Sequence, residues 1–148
     1  PGWFMENAAW DVASARNDGV ISSYLQPLDK RFPMVATADV GRVAAELLQQ
    51  TWSGVRIVEI EGPRRVSPND IASAFSRVLD RPVRAEIVDR QNWETLFLSQ
   101  GMKHPLLRMR MLDGFNEGWI DFENCPGDVV RGEIELETVI GALALNPS

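Results

Sequence analysis

Few side chains in this sequence have the chemistry of a catalyst, and their neighbours decide what they can do. His104 is the only histidine, Cys125 the only cysteine and Tyr24 the only tyrosine. A Ser-His-Asp triad would have to use His104, which stands beside Pro105 with no G-x-S-x-G serine motif anywhere to support it. His104 therefore reads as an exposed residue at a helix start rather than a proton shuttle. Cys125 precedes Pro126 and Gly127 and has no cationic neighbour in sequence to lower its pKa, which sets it apart from reactive thiols. One cysteine and one histidine are too few for a structural zinc site, and no Asp-rich loop points to an oxygen-only site for Mg or Ca, so no metal is expected. Tyr24 is followed four positions later by Leu28, so no Y-x-x-x-K pair occurs. Phosphate-cradling loops are missing too. The nearest glycines are Gly114 and Gly118, and neither G-x-G nor G-x-x-G exists in the chain. No catalytic residue can be named from these motifs.

Binding chemistry is better represented. The amide of Asn7 offers both donors and an acceptor to a ligand carbonyl, against the plainer reading of a helix-start residue. Trp3, Phe4 and Trp10 can line an apolar pocket for a flat molecule, or simply join a core. Leu107, Met111, Phe115 and Trp119 sit four apart and can form a pocket lid, with methionine adapting to varied ligands; helical core is the competing reading. Trp93 joins them as a substrate-pocket candidate.

These residues need elements to hold them. Trp3 to Ala15 reads as helical or loop-helical, and Asn17-Asp18-Gly19 as a turn. Val20 to Leu25 and Phe32 to Ala36 are short β-like runs. Val40, Val43, Ala44, Leu47 and Leu48 fall on one helical face, with Thr37 or Asp39 as its cap. Val55 to Ile60 alternates as a strand. Ser67 caps the next helix, with Pro68 in its first turn and Ile71, Ala74, Phe75, Val78 and Leu79 as its apolar face. Arg81-Pro82 stops that helix and Val83 to Val88 is a further strand. Gln91 to Ser99 and Leu136 to Leu145 read as helices, and the order is that of an α/β protein.

The chain has 148 residues, 45% hydrophobic and 24% charged, which suits one domain with a real core. Its net charge of -6 disfavours phosphate backbones, so nucleic acid is not an expected partner. No apolar run approaches the roughly 20 residues that span a bilayer, and the Pro-Gly-Trp start is unlike a signal peptide. A single cysteine excludes an internal disulfide and fits a cytoplasmic location. Beginning at Pro1 rather than Met, the sequence reads as a piece of a longer protein.

Three stretches, taken in order, resemble the second half of NmrA-like atypical short-chain dehydrogenases. Pro1-Gly2-Trp3-Phe4-Met5-Glu6-Asn7 looks like the segment after the sixth strand of that fold. The run from Phe32 to Ala44 is similar to its strand-then-helix passage. The run from Glu61 to Ala72, continuing through Leu79 to Val83, resembles the passage after the last main-sheet strand. The resemblance implies that residues 1–148 form the C-terminal substrate-side lobe of a Rossmann-type fold, lacking the N-terminal nucleotide-binding half. NAD or NADP would bind the full-length parent and not this chain alone. Trp3, Phe4 and Asn7 would lie nearest the nicotinamide. Val55 to Ile60 would be one strand of the main sheet.

Function then divides. In one expectation the parent is an NAD(P)H-dependent reductase of a small quinone-like or carbonyl substrate, and this chain, inactive alone, shapes the pocket. In the alternative the parent is a non-catalytic redox sensor that binds NAD(P) and acts through a protein partner. A third is a domain that assembles with copies of itself through its apolar surface, motivated by five tryptophans.

Overall fold

A computed structural model describes residues 2–122 and 129–145 of the chain, so Cys125 lies outside the described residues. The loop-helical start divides into a two-residue strand, β1 (Trp3–Phe4), a 3-10 segment (Met5–Asp11) and the helix α1 (Val12–Asn17). Strands β2 (Val20–Ser23) and β3 (Met34–Val35) follow, then α2 (Thr37–Leu48), β4 (Glu59–Glu61) and α3 (Pro68–Leu79). The chain continues through β5 (Arg84–Ile87), α4 (Trp93–Ser99), α5 (Pro105–Glu117), β6 (Val129–Arg131) and α6 (Leu136–Leu145). This is a mixed α/β architecture with short parallel strands. None of the described helices is long and apolar enough to cross a membrane.

Strands pair in parallel as β1 with β3, β2 with β5 and β4 with β6. Parallel partners cannot be joined by a tight turn, so each pair is bridged by intervening chain that includes helix. The hydrogen bond from Gly62 N–H to Met34 O, 2.7 Å, ties the end of β4 to β3.

The helix α3 forms as its sequence dictates. Ser67 Oγ accepts the Asp70 N–H while Asp70 accepts the Ser67 N–H, a reciprocal box around Pro68. Ala74 and Phe75 are wholly buried, with Ile71, Val78 and Leu79 packed beside them. Around this face lies the main core, which also holds Trp93, Phe97, Phe32, Leu112 and Ile140.

Other elements depart from expectation. The N-cap of α2 is Ala36, with no side-chain cap. Glu6 serves this end instead: its Oε1 accepts the Thr37 N–H at 2.9 Å and the Thr37 hydroxyl at 2.7 Å. Asp39 turns the other way and accepts the N–H groups of Glu133 at 3.0 Å and Ile134 at 2.9 Å. Those two donors precede α6 and have no helical partner, so the carboxylate does more there than at a helix start that Glu6 already serves. Gly132 passes so close to Asp39 that a Cβ would overlap its carboxylate.

The strand expected from Val55 to Ile60 forms only at its far end, as β4. Residues 55–58 are not strand, and Val55 is 94% exposed. Val55 and Ile57 are exposed, so no buried face holds these residues in strand alternation. The α2 stripe is only partly covered: Val43 is buried against Val35 and Ile60, while Leu48 is 84% exposed.

Helix α5 buries Pro105, Met109, Leu112 and Phe115 and leaves Leu107 and Met111 exposed. Successive steps of four advance by about 40° around a helix, so a stripe built only from such steps winds off the buried face. Trp119 falls beyond the helix end, after Gly118, whose φ of 90° suits glycine.

Candidate functional site

An open cavity of about 590 Å³ lies where the 3-10 segment, β2, α3, α4 and α5 meet. The 3-10 segment supplies Asn7, Trp10 and Asp11, the chain after β2 supplies Tyr24, and α5 supplies Arg108. Trp3 closes one side, its ring edge-on to buried Phe115 at 5.7 Å.

Each wall is fixed from behind. Tyr24 rests on Phe97 at 5.1 Å and meets Trp93 edge-on at 5.9 Å. Trp93 is in turn held by its indole N–H, which donates to Val88 O at 2.7 Å. Asn116 fastens the Tyr24 loop, donating to Tyr24 O and accepting the Gln26 N–H, both at 2.9 Å. Lys30 donates to the carbonyls of Phe115 and Asn116 at the end of α5, at 2.9 and 2.7 Å. Cations at helix C-termini are favoured by the exposed carbonyls there. A two-pronged ion pair, Arg90 with Asp113 at 2.7 and 2.8 Å, holds α5 beside the start of α4. Arg108 thus sits on a helix braced at several points.

The Arg108 guanidinium lies over three rings, at 4.9 Å from Trp10, 4.8 Å from Phe97 and 5.9 Å from Tyr24. It pairs with no carboxylate among the described residues. Asp11, the other charged lining residue, accepts the Ser22 N–H at 3.0 Å. Burial pushes its carboxyl up to about 6, and the Ser22 hydrogen bond offsets only part of that rise. The cavity therefore offers flat apolar walls, one cation and one weakly acidic carboxyl.

Of the residues singled out from sequence, Trp3, Asn7 and Trp10 are brought together here. The Asn7 amide engages no described residue, which leaves it open to a ligand. Phe4 is partly exposed outside the described lining. Phe115 and Trp93 are buried behind the walls, supporting Trp3 and Tyr24. Leu107, Met111 and Trp119 are exposed and do not reach the cavity. His104 is exposed at the N-cap of α5. Sequence reasoning missed Asp11, Tyr24 and Arg108. Asp11 adjoins Trp10 and could have been included with it, whereas nothing local marks Arg108, because its three rings come from distant segments.

The diphosphate of a dinucleotide needs free N–H groups at a helix start, with glycines that let it approach. The start of α2 is served by Glu6, that of α3 by Asp70, and the first turn of α6 carries Glu137. Among the described residues no three His, Cys, Asp or Glu side chains gather as a metal site would require. No protein-family model matches the chain, and no curated protein does.

Proposed function

We propose that this chain is the substrate-holding part of an NAD(P)H-dependent oxidoreductase of the NmrA-like, atypical short-chain dehydrogenase type. Its substrate is a small quinone-like or carbonyl compound, and the Rossmann-type nucleotide-binding half belongs to another segment of the same protein. One observation carries the reading: Trp3 and Asn7, two of the positions that the resemblance sets beside the nicotinamide, line one cavity with Trp10, Tyr24 and Arg108. Indole and phenol rings give a flat molecule large contact area at low entropic cost. The Asn7 amide can donate to the oxygen of a carbonyl or quinone. Redox chemistry lies with the dinucleotide and with residues outside this chain, and the task of these 148 residues is to hold the acceptor.

Calorimetric titration of the 148-residue chain with 1,4-naphthoquinone tests this. Saturable binding is expected, weakened about 10-fold or more by Trp10→Ala, the equivalent of about 1.4 kcal/mol. Absence of saturable binding overturns the reading.

The tract of Leu48, Trp52, Val55 and Ile57 favours a second reading. Four exposed large apolar side chains in close succession suit contact with another polypeptide. The parent would then be an NAD(P)-binding redox sensor that acts through a partner. Equal affinity of the full-length protein for oxidised and reduced dinucleotide removes this alternative, since a ligand shifts a state only by binding it differently.

A further inference from the structure

We propose that the cavity selects flat aromatic ligands that carry a carboxylate, with Arg108 as the group that binds it. This names the substrate class of the cavity described above and rests on its being a site for flat ligands.

The chain is acidic, with 21 Asp and Glu against 15 Lys and Arg, so a cation readily finds a carboxylate. Arg42, Arg65, Arg90 and Arg131 all do, at distances from 2.7 to 3.3 Å. Arg108 does not. Aromatic faces surround it instead, and they hold the charge through the ring quadrupole while using none of its N–H donors. A guanidinium held by ring faces rather than by a carboxylate keeps its N–H donors for a planar acceptor, and a carboxylate matches them two at a time. The Trp10 and Phe97 rings, at 4.9 and 4.8 Å, also limit the motion of the group, which lowers the entropy lost on binding.

The remaining lining suits the ligand's other end. Tyr24 presents a ring beside the cation, and its hydroxyl engages no described residue. Asp11, the one acidic lining side chain, is tied to the backbone at Ser22 and does not pair with Arg108. An aromatic acid can thus place its carboxylate on Arg108 and its ring along Trp10 and Tyr24. A neutral ring of the same shape gains the stacking and leaves the Arg108 donors to water.

Calorimetry of the 148-residue chain with 2-naphthoate and with 2-naphthamide, which share a ring system, tests the proposal. The carboxylate should bind at least ~10-fold more tightly at low ionic strength, and added salt should narrow that margin by weakening naphthoate alone. Arg108→Met should abolish the margin, and the circular dichroism and unfolding transition of the variant check that it is folded. Arg108→Lys, which keeps the charge and loses the planar fork, should retain part of it. Equal affinities in the parent chain overturn this inference and leave the flat-ligand site standing. A margin that survives Arg108→Met also overturns it. Binding of neither compound removes the site itself, and the inference with it.

Discussion

Two aspartates, one in each half of the molecule's architecture, receive opposite treatment from their surroundings. Asp11 stands at the aromatic cavity, beside the main core, and has one backbone donor, Ser22. Burial outweighs that single bond, and its carboxyl is pushed up to about 6. Asp39 stands beside the small cluster of Val35, Val43 and Ile60 and is itself buried. Burial raises its pKa too, but the N–H groups of Ile134 and Glu133 together with Arg42 overcome this and hold it below the usual value of 3.8. Asp11 has a single donor to set against its burial, whereas Asp39 has two backbone N–H groups and a guanidinium.

The difference extends to how each region is held. Around the cavity, rings pack edge-on or tilted against rings and the polar groups fasten loops. Beside β4 and β6, among the described residues, three apolar side chains are buried together, and charged tethers join them. Glu61 is buried between Arg131 at 2.9 Å and Arg65 at 3.1 Å, and Arg65 continues to Asp121 through two bonds of 2.9 Å. Asp39 is the point where this region grips the chain that leads into α6.

Breaking that grip should have the largest effect. Asp39→Ala leaves two N–H groups without their acceptor and Arg42 without one of its carboxylates. A loss of about 2–4 kcal/mol is expected from chemical denaturation at pH 7. The pH dependence gives an independent check. A carboxyl held low in the folded chain contributes stability that is present in full above 3.8 and is lost as the pH falls through its folded value. The wild-type chain should therefore lose more stability on acidification than the Ala variant does. Parallel losses in both would show that Asp39 is not the tether.

How much of this was legible in the sequence depends on range. The α3 helix was readable because its cap, its Pro68 and its five-position stripe all lie within one stretch of chain. The aromatic side of the cavity was partly readable, since Trp3, Asn7 and Trp10 share the N-terminal segment. Arg108 was not, because its environment is assembled from Trp10, Tyr24 and Phe97, which only the fold brings together. Asp39 was misread for the same reason: the first turn of a helix suggests a cap, and only the tertiary fold delivers Glu133 and Ile134 to it. In α5 the error was one of phase, and the buried set of Met109, Leu112 and Phe115 is one that steps of three and four define jointly.

The cavity aspartate should give the opposite and smaller result. Its raised carboxyl carries no penalty below 3.8, where both folded and unfolded chains are protonated; the cost grows between 3.8 and about 6 and is constant above. A displacement of this size corresponds to at most about 3 kcal/mol, and partial solvent access reduces it to about 1–2 kcal/mol. Asp11→Asn keeps an acceptor for the Ser22 N–H without the charge. It should be more stable than the wild type at pH 8 and indistinguishable from it near pH 3.5, by thermal or denaturant unfolding at both. A variant less stable at pH 8 would mean that the ionised carboxylate is satisfied by a contact worth more than its desolvation.

The smallest effect is expected where the ionic half meets solvent. Val55 is almost fully exposed, so replacing its side chain removes almost no buried area. Val55→Lys should change the unfolding free energy of the 148-residue chain by less than about 0.5 kcal/mol. Dilution sharpens the comparison. If copies of the chain cover this tract in solution, Val55→Lys would cost more than that at high protein concentration and regain wild-type stability on dilution, as mass action requires. A cost that does not change with concentration would mean that the tract is buried within its own chain, and the contrast between a well-filled aromatic half and a thinly covered ionic half would then fail at its most exposed point.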